Sequence, residues 1–137
     1  MLMLKKGGDG MASNLAVKLQ EVLSKVDNIK PNGYSDEQKT AWVNKVEGMV
    51  QVEVMELVEA DVVIYDWSTD AEIELLVKHP YSDVYEYYVL AMIDFMNGDV
   101  PSYQNSMLMF NTAYEEYGKW YKRNKQATTT LYIKNYW

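Results

Sequence analysis

YSDVYEYYVLAMIDFMNGDVPSYQNSMLMFNTAYEEYGKWYKR, residues 81–123, decides the fold. The first part reads as a helix opening at Ser82 or Asp83. Tyr85, Tyr88, Val89, Met92, Ile93 and Met96 share one side of it. Asn97-Gly98 closes it, because glycine accepts the left-handed position past a helix end. Pro101 suits the first turn of the next helix. Tyr103, Met107, Phe110, Tyr114, Tyr117 and Tyr121 then recur at alternating spacings of four and three. That is a heptad-like seam, too short for an independent coiled coil. The segment is an α-hairpin whose apolar sides are built from Tyr, Met, Phe and Trp. Twelve tyrosines are many for 137 residues. Tyr and Trp bury area while keeping a polar handle, so the seam divides between core and interface.

Working toward the N-terminus, a second helix starts at Ser35. Ser35-Asp36-Glu37-Gln38 has the capping-box pattern. Val43, Val46, Val50, Val54 and Leu57 follow at helical spacing, widened by Trp42 and Met49. Gly48 predicts a kink or a close approach of another backbone. Pro31-Asn32-Gly33 marks a turn before it. The first helix is expected from about Ser13 to Val26, capped by Ser13 or Asn14, with Leu15, Leu19, Val22, Leu23 and Val26 inward. Between Leu57 and His79 the pattern is mixed. Residues 62–65 read as a short strand or the tail of helix two. Residues 70–77 alternate in part, and Pro80 stops any helix. Past Lys125 the tail TTTLYIKNYW is rich in β-branched and aromatic residues, which predicts an extended arm with a short strand at 129–134.

The expected fold is all-α: a small bundle of four to five helices with an extended C-terminal arm. Residues 1–12 read as a flexible arm or leader, 13–125 as the helical domain and 126–137 as the arm. Met11 is an alternative start. No stretch approaches the roughly 20 apolar residues of a membrane span, and no secretory leader is visible. The 48% hydrophobic content supports one modest core. The absence of cysteine excludes disulfides, thiol catalysis and cysteine-ligated metals.

The formal charge of −7 disfavours phosphate-tracking nucleic-acid binding. The charge is also segregated. Nine acids and no Lys or Arg lie between Lys45 and Lys78. Five basic residues and no acids lie between Gly118 and Trp137. The bland reading is two solvated faces. The sharper one is that one subunit's basic end meets the next subunit's acidic belt, a heterologous contact that closes into a ring where the rotation allows.

No residue set commands a catalytic assignment. His79, the only histidine, has no nucleophile or orienting partner nearby in sequence. Asp70, Glu72 and Glu74 share one face if their segment is a strand, as a Mg²⁺-dependent nuclease would require. The run Lys119 to Lys125, with Trp120 and Tyr121 interleaved, has the composition of a nucleic-acid stacking patch. It also fits compensation of the helix dipole. Glycine-rich phosphate loops, nucleophile elbows and zinc motifs are absent.

Several short motifs occur together in order: Glu74-Leu-Leu-Val77, Pro80-Tyr-Ser-Asp-Val-Tyr85, Ala91-Met-Ile-Asp-Phe95, Asn97-Gly98, Tyr103, Asn105-Ser-Met107, Phe110-Asn111, Ala113-Tyr114 and Lys119-Trp-Tyr-Lys-Arg123. With the Tyr34 to Lys39 start of helix two, they resemble a family of head–tail connector (adaptor, neck) proteins of tailed phages and prophages of Gram-positive bacteria. The likeness covers about the last half of the chain. It implies a helical structural subunit, commonly one of twelve in a ring beneath the portal, around the DNA channel. The implied partners are other copies of the chain, the portal protein, a downstream neck or tail protein, and passing genomic DNA bound without sequence specificity. The implied location is the virion neck, reached from the host cytoplasm during assembly, with no membrane. No catalytic residue, cofactor or metal is implied.

The candidate interface comprises Trp120, Tyr121, Lys122, Arg123, Leu131, Tyr132, Ile133, Tyr136 and Trp137. The tail residues among them suit addition of a strand to a neighbouring chain. A stopper or tail-completion protein is the nearby alternative. A metal-dependent nuclease or packaging accessory using Asp70, Glu72 and Glu74 comes from another class. A DNA-binding regulator using Lys122 and Arg123 is the third.

Overall fold

The computed structural model describes the backbone of residues 15–136 and the side chains of residues 15–125. Five α-helices lie in this range: α1 (Leu19–Ile29), α2 (Asp36–Met49), α3 (Trp67–Asp70), α4 (Asp83–Met96) and α5 (Val100–Tyr136). Among the described residues there is no β-strand, only one isolated bridge between Lys18 and Glu74. The all-α bundle expected from sequence is what forms. Residues 1–14, including the proposed caps Ser13 and Asn14, lie outside the described residues.

Local chemistry sets the helix ends. Ser35 caps α2, its hydroxyl accepting the Gln38 N–H at 3.1 Å. α4 ends in a Schellman arrangement around Gly98, whose φ is +76°. Asp99 N–H bonds the Asp94 carbonyl at 2.9 Å, and Gly98 N–H bonds that of Phe95 at 3.1 Å. Asp99 then caps α5 by accepting the Ser102 N–H at 3.2 Å. Three residues thus stop one helix and start the next, and the hairpin folds back on itself.

The core forms where the apolar stripes meet. α1 contributes Leu19, Val22, Leu23 and Val26, and α2 contributes Val43 and Val46, with Val50 and Val54 just beyond it. α4 gives Val84, Tyr85, Val89 and Ile93, and α5 gives Phe110 and Tyr117. The predicted seam of α5 is its inward side, with Tyr103, Met107, Tyr114 and Tyr121 half-buried around the two buried rings.

Four expectations need correction. The helix expected over Ser13 to Val26 is not continuous: residues 16–18 lie outside any helix, and α1 begins at Leu19. Their backbone is taken up by the 71–79 stretch instead. Leu75 N–H bonds Val17 O at 2.8 Å, and His79 N–H bonds Leu15 O at 2.9 Å. The same stretch caps α1, because the Ile73 and Ala71 carbonyls accept the N–H groups of Leu19 and Gln20.

The irregularity in helix two is not at Gly48, where an added Cβ would meet nothing within 4 Å. The helix widens into a π-turn over Val50–Val54 and stops at Glu56, whose φ is +59°. Residues 62–65 are extended but have no strand partner. The tail is not an extended arm: its backbone continues α5 to Tyr136. Extending an existing helix needs no nucleation, and β-branched residues cost only tenths of a kcal/mol each, up to about 0.7. The short strand at 129–134 is therefore replaced by helix. The 37-residue α5 spans about 55 Å. The 14-residue α4 spans about 21 Å, so it covers only part of α5.

Candidate functional site

α2 and the π-turn that continues it carry a polar stripe as well as an apolar one. Asn44, Glu47 and Gln51 lie three and four residues apart, on one side of the helix. Each holds part of the irregular 57–79 region. The Asn44 amide donates to Tyr65 O and accepts from Tyr65 N–H, both at 2.9 Å. The Gln51 amide does the same for Val63, at 3.1 and 2.8 Å. Side-chain amides from a helix thus substitute for the neighbouring strand that residues 62–65 lack.

Glu47, between them, is completely buried. One carboxylate oxygen accepts from the Tyr85 hydroxyl. The other accepts from the Tyr65 hydroxyl at 2.8 Å and the Leu76 N–H at 3.0 Å. Burial pushes the Glu47 carboxyl above the usual carboxylate range, opposed by the bonds from Tyr85, Leu76 and Tyr65. Burial, then the Glu47 charge, holds the Tyr85 hydroxyl well above the usual tyrosine value, and Tyr65 follows for the same reasons. A carboxylate with no solvent access and every partner internal is a structural centre. A pairwise clamp and a carboxylate network here organise a region whose own helices are only a 3-10 turn at Glu59–Asp61 and the short α3.

Three other charged side chains are buried and paired. Lys39 bonds Asp27 at 2.6 Å. Asp94 is held by Lys30 and by Ser106 at 3.3 Å. Glu86 faces Lys25 at 4.0 Å, and Lys25 also lies 3.9 Å from Asp83. Burial raises the Glu86 carboxyl to about 7 despite Lys25. Sequence reasoning missed all of these carboxylates, although Glu47, Glu86 and Asp94 each sit at helical spacing beside apolar core positions.

The candidate interface divides. Trp120 and Tyr121 join Tyr81 and Tyr117 in an aromatic cluster, with Tyr81–Trp120 ring centres 5.4 Å apart and Tyr117–Tyr121 6.2 Å apart. This cluster lines a groove of about 720 Å³ between α5 and residues 76–81, a size in the range of ligand pockets. Met55 and Leu76 add apolar walls, and Lys78 and His79 line its polar rim. Burial pushes the Tyr117 hydroxyl up to about 12. Trp120 sits at the rim, 37% exposed, rather than in the core.

Lys122 lies on another flank of α5, in a smaller hollow with Glu53, Tyr114 and Lys119. Arg123 is exposed. The side chains of Leu131, Tyr132, Ile133 and Tyr136 lie outside the described residues, as does all of Trp137.

The nuclease candidates do not assemble. Among the described residues no three His, Asp or Glu side chains form a group able to hold a metal ion. Asp70 ends α3 and accepts the Asp66 N–H at 2.8 Å. Glu74 faces Lys18 at the isolated bridge, and Glu72 is exposed. His79 is exposed, beside a cis bond to Pro80. No helix among the described residues is long and apolar enough to cross a membrane.

No protein-family model matches the chain, and neither curated proteins nor solved structures show a match to it.

Proposed function

We propose that this chain is a structural subunit of a tailed-phage neck, a head–tail connector (adaptor) that rings the DNA channel between portal and tail. The reading rests on the sequence motifs of residues 74–123. One structural observation supports it best: the α4–α5 hairpin has more apolar surface than one core can use. Phe95, Met96 and Val100 are exposed around its turn, and Leu108 and Met109 are exposed along α5. Exposed apolar side chains gathered on one hairpin favour association with another chain. The aromatic groove at Trp120 and Tyr121 adds a second such surface. An acidic body suits a channel through which DNA must pass without sticking, because like charge opposes adhesion to phosphate. The function is assembly, with no catalytic step.

The decisive experiment is the mass of the purified protein, alone and mixed with its cognate portal, by native mass spectrometry or mass photometry. A ring of about twelve copies, free or on the portal, is the expected result. A monomer that ignores the portal overturns the reading.

A further inference from the structure

The extended segment from Val62 to Asp66 is held by side-chain amides along one edge and is open at the middle of the other. In an extended chain the N–H and C=O of a residue point to the same edge, and successive residues alternate. Val63 turns its pair to Gln51 in the π-turn after α2, and Tyr65 turns its pair to Asn44 on α2. Val62, Ile64 and Asp66 present theirs on the opposite edge. There the Val62 N–H bonds Glu59 O at 3.3 Å, and the Asp66 N–H bonds Asp70 Oδ2 at 2.8 Å. The Val62 carbonyl and both backbone groups of Ile64 have no hydrogen-bond partner among the described residues. Ile64 is 75% exposed, and Val58 and Val63 are exposed nearby.

The charge along this stretch of chain is of one sign. Glu56, Glu59 and Asp61 precede it and Asp66 and Asp70 follow it, with no Lys or Arg from residue 46 to residue 77. We propose that this edge is a docking site for an extended, basic segment of another protein, added as a β-strand opposite Ile64. An antiparallel residue set directly across from Ile64 takes both of its backbone groups, and the next carbonyl along is that of Val62. Apolar side chains of the added strand cover Ile64, Val63 and Val58, and its flanking Lys or Arg residues meet the acids. The same charges reject the same edge of a second copy, because two acid-flanked edges repel. The edge therefore avoids self-pairing while staying open to a partner of opposite charge. This inference does not depend on the connector reading.

The test uses the full chain, isotope-labelled for NMR. The probe is an acetylated, amidated octapeptide of sequence Lys-Lys-Val-Thr-Val-Thr-Lys-Lys, and its Glu-flanked counterpart is the control. The lysine-flanked peptide is expected to shift the Ile64 amide resonance and slow its hydrogen exchange at least tenfold at saturation. Ile64→Pro removes the outward N–H without touching Val63 or Tyr65 pairing, and is expected to weaken binding at least tenfold. Glu59→Lys combined with Asp61→Lys leaves three acids against two lysines around the edge and is expected to cut the preference for the lysine-flanked peptide at least fivefold, a readout that stands even if the proline variant fails to fold. No change at Ile64 up to millimolar peptide overturns the proposal. So does equal binding to a folded Ile64→Pro, or a preference that ignores the charge reversal.

Discussion

The Tyr85 hydroxyl bridges two buried groups from different parts of the chain: it donates to the Glu47 carboxylate on α2 and accepts the Val77 N–H at 2.8 Å. α4, α2 and the 75–77 segment meet at that one oxygen. Tyr85→Phe keeps the ring and removes the oxygen, leaving a buried carboxylate oxygen and a buried N–H without partners. Each such orphan costs about 1–3 kcal/mol, so the expected loss is about 2–6 kcal/mol. Urea unfolding measures it. A loss below about 1 kcal/mol, within the range of one ordinary hydrogen bond, would show that the bridge is not a keystone.

Glu86 makes stability depend on pH near neutrality. Its carboxyl sits at about 7 in the fold against 4.5 for the ordinary group, because burial outweighs the attraction of Lys25. A folded pKa above the unfolded one means that the unfolded state ionises first. The stabilising contribution is complete below about pH 4.5 and is lost as pH rises through 7. Glu86→Gln removes this titration. Relative to the native chain, the variant should gain stability on the order of 2–3 kcal/mol between pH 4.5 and pH 8. The difference in thermal unfolding across that range is the measurement, since Glu47 also titrates and cancels in the comparison. A flat difference refutes the assignment.

Glu56 terminates the widened end of helix two with φ at +59°, and its neighbour Leu57 closes the turn through an N–H bond to Gln51 O at 2.9 Å. A side chain in the left-handed region costs about 1–2 kcal/mol, which glycine avoids. Glycine's greater freedom when unfolded offsets part of this. Glu56→Gly should therefore stabilise the protein by about 0.5–1 kcal/mol, read from the urea midpoint. Destabilisation would mean that the Glu56 side chain contributes more than its backbone strain removes.

Asn44→Ala takes both hydrogen bonds from the backbone of Tyr65. The site is partly exposed, so water replaces some of the loss, and the expected cost is about 1–2 kcal/mol. Local opening is the sharper readout. Hydrogen exchange at the Tyr65 amide should accelerate at least tenfold, while amides in the middle of α4 change only as much as global stability requires. Equal acceleration at both places would show that the 62–66 segment is not held locally by α2.

The elements most legible in the sequence were those whose signal is local and short. Ser35, Asn97-Gly98 and Pro101 mark helix ends that form as read. The valine stripe of α2 and the aromatic seam of α5 bury as their spacing requires. The failures came where a distant partner decides. Residues 62–65 have the composition of a strand, and their backbone is extended, but their partner is a pair of amides on a helix. Residues 129–134 have the same composition and are helical, because an adjoining helix propagates through them.

Glu47 was hidden among nine acids that read as a solvated belt. Its position supplied the only clue: four residues after Val43 and three before Val50, it falls on the buried side of α2. The interface residues were legible as an aromatic and basic run, but composition could not divide them. The structure puts Trp120 and Tyr121 at one groove and Lys122 on another flank.

Segregation of charge gives the connector proposal its own test. Lys119, Lys122 and Arg123 are exposed toward the far part of α5, and the acids from Glu53 to Glu74 are mostly exposed on the body. If the basic end of one subunit meets the acidic belt of the next, attraction between exposed charges contributes to assembly and is screened by salt. Lys122→Glu combined with Arg123→Glu turns that attraction into repulsion on a solvent-facing flank, so folding should be unchanged. Self-assembly, or assembly on the portal, should weaken at least tenfold in mass photometry. Raising salt from about 50 mM to about 0.5 M should weaken the native assembly in the same direction. A variant that assembles like the native chain, through the same salt range, would place the subunit contact on the apolar surfaces of the hairpin and remove the charge pairing from the account.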